Sequence, residues 1–289
     1  MHFAEPHSPR AAWRLQPWSA RSVLRAWERG DGLSRTGRAL ALLSVALPRV
    51  SRSDLLDLPM GRRDQLLLRC RVDLLGDTLQ GSVRCPACGA DQAFALDVTA
   101  DLLSQGVALD APERADLDLD GRRFTVRVPT GRDVLAVEGL GPTAAASELL
   151  RRSVVPADGG SSPPGDGPVD VGGAPQLSVQ ALGAIGDAFE RLDPLAVVPL
   201  ALGCGECGFQ WQPLLEVVEI LWAEVEDLAG RLMDEAQTLA TAYGWSEADI
   251  LAMSGRRRRY YLEKAPGAAA ADDETPRPLP GTGPWSSMS

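Results

Sequence analysis

Histidine and lysine are almost missing from this chain of 289 residues. The two histidines, His2 and His7, sit at the extreme N-terminus, and Lys264 is the single lysine among 29 basic residues. The body of the chain therefore lacks the commonest general base and the commonest partner of cysteine in mixed metal sites. Schiff-base and phosphate-loop chemistry has one poorly placed amine to work with. Basic residues are also outnumbered, and the formal net charge is −10. A general nucleic-acid coat needs a positive surface to displace counterions, so nucleic acid is not the expected partner. Long apolar runs are missing as well. Ala39–Leu47 and Leu195–Leu202 fall far short of the roughly 20 residues that span a bilayer, so no membrane partner is expected. His2, Glu5, His7 and Arg10 leave no room for the apolar core of a secretory signal, and the expected location is cytoplasmic. From this inventory an ordinary enzyme is hard to build; neither catalysis nor a small-molecule substrate is expected. What the chain does have is 45% apolar residues, enough to fill the core of one large domain or two small ones.

Four of the five cysteines form two C-x-x-C pairs, Cys85/Cys88 and Cys204/Cys207. In a reducing compartment disulfides are disfavoured and metal binding gains weight. Both pairs are followed by glycine, Gly89 and Gly208, at the position where a metal knuckle needs a residue of positive φ. The repeat continues without a gap, Leu96-Asp97-Val98 matching Leu215-Glu216-Val217. Two such knuckles supply the four thiolates of a closed tetrahedral site. We therefore expect one structural zinc per chain on Cys85, Cys88, Cys204 and Cys207. Three other readings stay open. One is a thioredoxin-type redox pair, although extended-looking stretches (Asp91–Ala95, Phe209–Gln212) follow the cysteines here. Another is a pair of vestigial turns without metal, and the third is two separate knuckles, each completed by a partner. The 115 residues between Cys88 and Cys204 exceed the spacing of a compact zinc ribbon, so a shared metal would staple distant parts of one fold. Cys70, inside an apolar helical run, reads as a buried small hydrophobe.

The expected fold class is α+β, mostly helical, with a small β and zinc-knuckle module joining the two C-x-x-C turns. Residues 1–18 are read as a flexible leader. Segment 19–155 should hold helices capped by Ser19 and by Ser34 or Thr36, a single turn at Ser53–Pro59, and a helix from Gly61 to about Leu75. The first knuckle, a short helix near Thr99–Gln105 and a β-hairpin turning at Asp120-Gly121 follow, then helices starting at Thr130 and Ala144. Residues 156–176, dominated by Gly, Pro, Asp and Ser, are expected to be a disordered insertion. Segment 177–264 should contain a helix from Ser178, the second knuckle, a long helix from Pro213 to Tyr243 and terminal short helices; 265–289 reads as a disordered tail. Along the long helix Leu214, Val218, Leu221, Val225, Leu228, Leu232 and Leu239 recur in steps of four and three. That seam serves either as internal core or as a surface for another chain.

One dense positive run, Arg256–Arg259, admits a nucleic-acid contact, but pairing with carboxylates of the protein or a partner suits the planar guanidinium better. Asp54-Leu55-Leu56 followed by Pro59, Gly61, Arg62 and Arg63 is similar to Asp249-Ile250-Leu251 followed by Ser254, Gly255, Arg256 and Arg257. This looks like one architectural device used twice.

The segment Tyr243-Gly244-Trp245-Ser246-Glu247-Ala248-Asp249-Ile250-Leu251, with Arg256–Arg259 and Tyr261-Leu262, resembles the C-terminal motif of the baseplate hub assembly chaperones of T-even-type contractile phages. The match is to the larger, double-CxxC form found in phage-tail-like contractile injection clusters. Cys85–Gly89, Cys204–Gly208, Trp211 and Trp222 fit that form, and the resemblance covers about residues 50–264 apart from the insertion. It implies a non-enzymatic assembly chaperone, or a minor structural component, of a contractile tail baseplate, partnered by other baseplate or tail-hub proteins. It brings no catalytic residue. Candidate partner contacts are Leu221, Leu228, Trp245, Arg256, Arg257, Arg258, Arg259 and Tyr261. The alternatives are a zinc-ribbon nucleic-acid-binding regulator and a redox protein using its C-x-x-C pairs.

Overall fold

Serine hydroxyls set where most of the helices begin. The computed structural model describes residues 13–157 and 177–266. Ser19 and Ser22 form a reciprocal capping box that opens α1 (Ala20–Gly30), and the Ser34 hydroxyl accepts from Gly37 N–H to open α2 (Arg35–Ala46). Ser51 caps the single turn α3 (Arg52–Leu56), after which Pro59 forces a break before α4 (Met60–Leu75). β1 (Thr78–Arg84) and β2 (Asp91–Asp97) pair antiparallel over seven residues, with the first knuckle at their tip. The side chain of Asp97 then caps a π-helical turn, Val98–Leu102, that runs on as a 3-10 turn, Leu103–Gln105.

β3 (Arg114–Leu119) and β4 (Arg122–Arg127) form the expected hairpin. Asp120 (φ +49°) and Gly121 (φ +77°) both take the left-handed conformation that a two-residue turn needs to match strand twist. After α5 (Gly131–Val137) and α6 (Pro142–Ser153), β5 (Val154–Pro156) adds a third strand beside β4, an element the sequence did not announce. α7 (Val179–Leu192) covers this sheet, burying Ala181 and Ile185 against Leu119, Phe124, Val126 and Val154. A 3-10 turn (Pro194–Ala196) leads into β6 (Leu202–Gly203) and β7 (Gln210–Trp211), which carry the second knuckle. α8 (Val217–Tyr243) follows, ended by Gly244 in the left-handed region, and then α9 (Glu247–Ala252) and α10 (Gly255–Leu262). The class is α+β, helices with three small antiparallel sheets.

One large core joins the two halves of the chain. Val218, Leu221, Trp222, Val225, Ala229 and Leu232 of α8 pack with buried residues of α1, α2 and α4. This corrects the placing of Leu221 and Leu228 on a partner surface. Leu221 is 1% exposed within the core, and Leu228 lies half-buried against it. The N-terminal helices bury their own apolar faces against this stripe. The helix is also shorter than its apolar pattern. Leu215 N–H donates to Val198 O, so the residues before Val217 belong to the second hairpin, and Leu214 stands exposed. The leader is shorter too. Trp13, Leu15 and Trp18 pack on the core and Gln16 N–H donates to Ala46 O, because two indoles offer too much apolar surface to leave in water. Residues 1–12, 158–176 and 267–289, where the rest of the leader, the insertion and the tail were placed, lie outside the described residues.

Buried arginines tie the elements together. Arg71 donates to Gly76 O, Thr78 O and the Glu224 carboxylate, fixing the end of α4, the entry of β1 and the middle of α8 in one junction. Arg62, fully buried, donates to the carbonyls of Leu109, Ala111 and Pro112 and to Glu113. Beside it the Asp193 carboxylate accepts from Gly61 N–H at 2.6 Å. A Cβ on Gly61 would lie 2.7 Å from Asp193 Oδ1 and 2.5 Å from the Ala196 nitrogen, so only glycine admits this contact.

The internal seam predicts a clear outcome for substitution. Leu221→Ala should cost about 2–5 kcal/mol by denaturant unfolding. Leu221→Asp should remove the cooperative transition of the isolated protein altogether.

Candidate metal centre

Each knuckle is a hairpin tip closed by the same two hydrogen bonds. Cys85 N–H donates to Ala90 O and Gly89 N–H to Cys85 O; Cys204 N–H donates to Phe209 O and Gly208 N–H to Cys204 O. Gly89 (φ +78°) and Gly208 (φ +72°) take the predicted left-handed conformation. The longer repeat is structural as well. Leu96 pairs with Leu79 and Leu215 bonds to Val198, and a helical element begins at Val98 and at Val217, the same offset from each knuckle.

The fold brings the two tips together. The sulfurs of Cys85, Cys88, Cys204 and Cys207 all lie within 4.8 Å of one another. Across the two knuckles, Cys85 Sγ is 3.8 Å from Cys207 Sγ and Cys88 Sγ is 3.6 Å from Cys204 Sγ. Four thiolates around a tetrahedral ion with bonds of about 2.3 Å stand about 3.8 Å apart, so the donor set and its spacing fit a four-coordinate thiophilic ion. Cys85 and Cys204 are buried, whereas Cys88 and Cys207 face outward. Gln92, which no motif marked, joins the knuckles directly, its Oε1 accepting from Gly205 N–H at 2.9 Å.

Backbone dipoles and crowded sulfurs divide the thiols. The backbone N–H of Cys207, helped by that of Glu206, outweighs desolvation and holds Cys204 down at about 7. At Cys88 the Ala90 N–H pulls the same way, but the sulfurs of Cys204, Cys207 and Cys85 outweigh it and push the thiol up to about 12. Cys204 is thus the thiol readiest to ligate as thiolate, whereas Cys88 would give up its proton only to a bound cation. Cys70 stands apart, wholly buried, with desolvation pushing its thiol to about 12, as an inert core residue should.

The C-terminal candidates fall elsewhere and serve a different end. Trp245 stacks on Tyr243 at 4.6 Å and meets Tyr261 edge-on at 4.8 Å, while Tyr243 Oη donates to Tyr261 O. With Leu239 and Ile250 they form a small core of their own. Arg258 is buried, donating to Glu235 at 2.8 Å and to Met253 O, and Arg257 lies over the Tyr261 ring. Arg256, Arg257 and Arg259 remain exposed, so burial of Arg258 takes one of the four arginines out of the surface. The repeated device is present, one residue out of the sequence alignment. Ser51 and Ser246 each donate to an aspartate three residues on, Asp54 and Asp249, and eight residues after each serine a second helix begins, with Pro59 and Ser254 at its N-cap position, of which only the serine supplies a side-chain cap. The equivalent buried arginines are thus Arg63 and Arg258.

Compared with known family models, curated proteins and solved structures, the chain matches none. Among the described residues no helix is long and apolar enough to cross a membrane.

Because the high thiols must lose protons to ligate, metal uptake should release protons and weaken as pH falls. Competitive metal titrations at pH 6 and pH 8 check this, with tighter binding expected at the higher pH. Cys85→Ser should lose the bound metal together with much of the cooperative fold.

Proposed function

We propose that this chain is a non-enzymatic protein of contractile phage-like tail assembly, stabilised by one structural zinc on Cys85, Cys88, Cys204 and Cys207. It acts in the cytoplasm by binding other baseplate or tail-hub proteins, as an assembly chaperone or as a minor component of the baseplate. The observation that carries the reading is the meeting of two knuckles 115 residues apart at one four-sulfur centre. All four ligand positions belong to the protein, the arrangement of a site that holds a fold together rather than one that keeps a position open for substrate. The near absence of histidine and lysine agrees with a role in binding. The resemblance of Tyr243–Leu262 and of both knuckles to the phage chaperone family supplies the partner class. Burial of Arg258 in an ion pair with Glu235 weighs against the nucleic-acid alternative.

Elemental analysis of the purified protein should return close to one zinc per chain, and a value near zero with four titratable thiols would remove the zinc. Co-purification from cells expressing the neighbouring gene cluster, read by mass spectrometry, should recover a baseplate or hub protein. Normal tails after deletion of the gene would overturn the assembly role.

A further inference from the structure

The two knuckle hairpins expose unpaired strand edges on either side of one groove. In an antiparallel pair the hydrogen-bonding groups of successive residues point alternately to the partner strand and away from it. Cys85 N–H bonds Ala90 O and Val98 N–H bonds Asp77 O, so along β2 the even-numbered residues face β1. The N–H and C=O groups of Ala93 and Ala95 therefore point outward, where they meet no partner. Asp97, the next in the series, has its N–H satisfied by the Asp101 carboxylate, which closes the open stretch. The second hairpin obeys the same parity. Val198 O, Leu200 N–H and Cys204 N–H all bond toward residues 209–215, leaving Pro199 O and both backbone groups of Ala201 turned the other way.

Phe94, Ala95 and Leu96 on one side and the whole run Val197–Leu202 on the other line a single open groove of about 710 Å³. Consecutive residues line both walls, so backbone as well as side chain faces the space. Ala93, Ala95 and Ala201 are exposed and small, so an incoming main chain can approach them closely. The floor is apolar, with Leu102 and Leu200 among it, and the rim carries the carboxylates of Asp101 and Glu190 against the single guanidinium of Arg191.

We propose that this groove takes an extended peptide segment of a partner protein, added as a strand to the edge of β2 and to the Pro199–Ala201 edge opposite. Main-chain hydrogen bonds supply the affinity, and alternate apolar side chains fill the floor. The acidic rim selects a segment carrying lysine or arginine between its apolar residues. The metal centre lies at the end of the groove where Gln92 meets Gly205, so it sets the separation of the two edges. This rests on the reading of the chain as a binding protein and specifies the partner's chemistry.

The test uses the full chain, metal-loaded, and a fluorescent hexapeptide alternating valine with lysine. Its twin is N-methylated at alternate backbone nitrogens. Saturable binding in fluorescence anisotropy is expected, weakened about tenfold or more by N-methylation, which deletes main-chain donors. Ala95→Pro and Ala201→Pro should weaken it similarly, since proline is tolerated at strand edges yet removes the N–H. Unchanged metal content in both variants separates loss of the edge from loss of the fold. Chelation should abolish binding. Equal binding of the methylated twin, or full binding by both proline variants, overturns the proposal. So does a concentration-dependent dimer that Ala95→Pro dissolves while the peptide fails to bind, which would assign the edge to a second copy. Failure of the peptide with normal recovery of a baseplate partner would sink the groove and leave the assembly role standing.

Discussion

The meeting of residues 85–88 with 204–207 is the constraint on which the rest of the structure turns. In the chain-entropy account, closing a loop of about 100 residues restrains the unfolded chain by about 4.7 kcal/mol. That is comparable with the whole stability of many domains, about 5–15 kcal/mol. A four-sulfur clasp with a metal bound can therefore decide whether a chain of this composition folds at all. It also fixes geometry. Both hairpins leave the clasp and lead into helical elements starting at Val98 and Val217, so the position of α8 against the core is referred back to the same point.

Arginine does the joining that the clasp leaves undone. Arg71 serves three elements at once because its planar fork carries five donors in fixed directions. Lysine, with one mobile ammonium, could not span Gly76, Thr78 and Glu224 from a single buried stem. Arg62 at the start of α4 and Arg258 on α10 repeat the pattern, each satisfying backbone carbonyls that loops would otherwise bury unpaired.

The cysteine knuckles were legible because their chemistry is local: a C-x-x-C, a glycine of positive φ and a repeat that continued through Leu96 and Leu215. The helix starts at Ser19, Ser34 and Ser178 and the Asp120-Gly121 turn were legible for the same reason. The direction in which a regular stripe faces was not. Leu221 has the same periodicity whether it meets α4 or another chain, and only the presence of three further apolar helices decides between them. β5 is three residues long and takes its identity from β4, so it left no pattern to read. Gln92 and Asp193 escaped notice because each acts through one contact with a backbone amide more than a hundred residues distant.

The sheet β3-β4-β5 with α7 lies between the two knuckles in the chain and keeps a small core of its own. It is thus an excursion whose two ends return to a closed gate. The entropy of closing a loop grows only with the logarithm of its length. Extending the 115-residue excursion by another stretch as long as residues 158–176 would add only about 0.1 kcal/mol. Insertions there cost the clasp almost nothing, whereas one residue added between Cys85 and Cys88 would change the angle at which a sulfur arrives. The same chain therefore holds a region free to drift in length and another that cannot, separated by a few residues of β-hairpin.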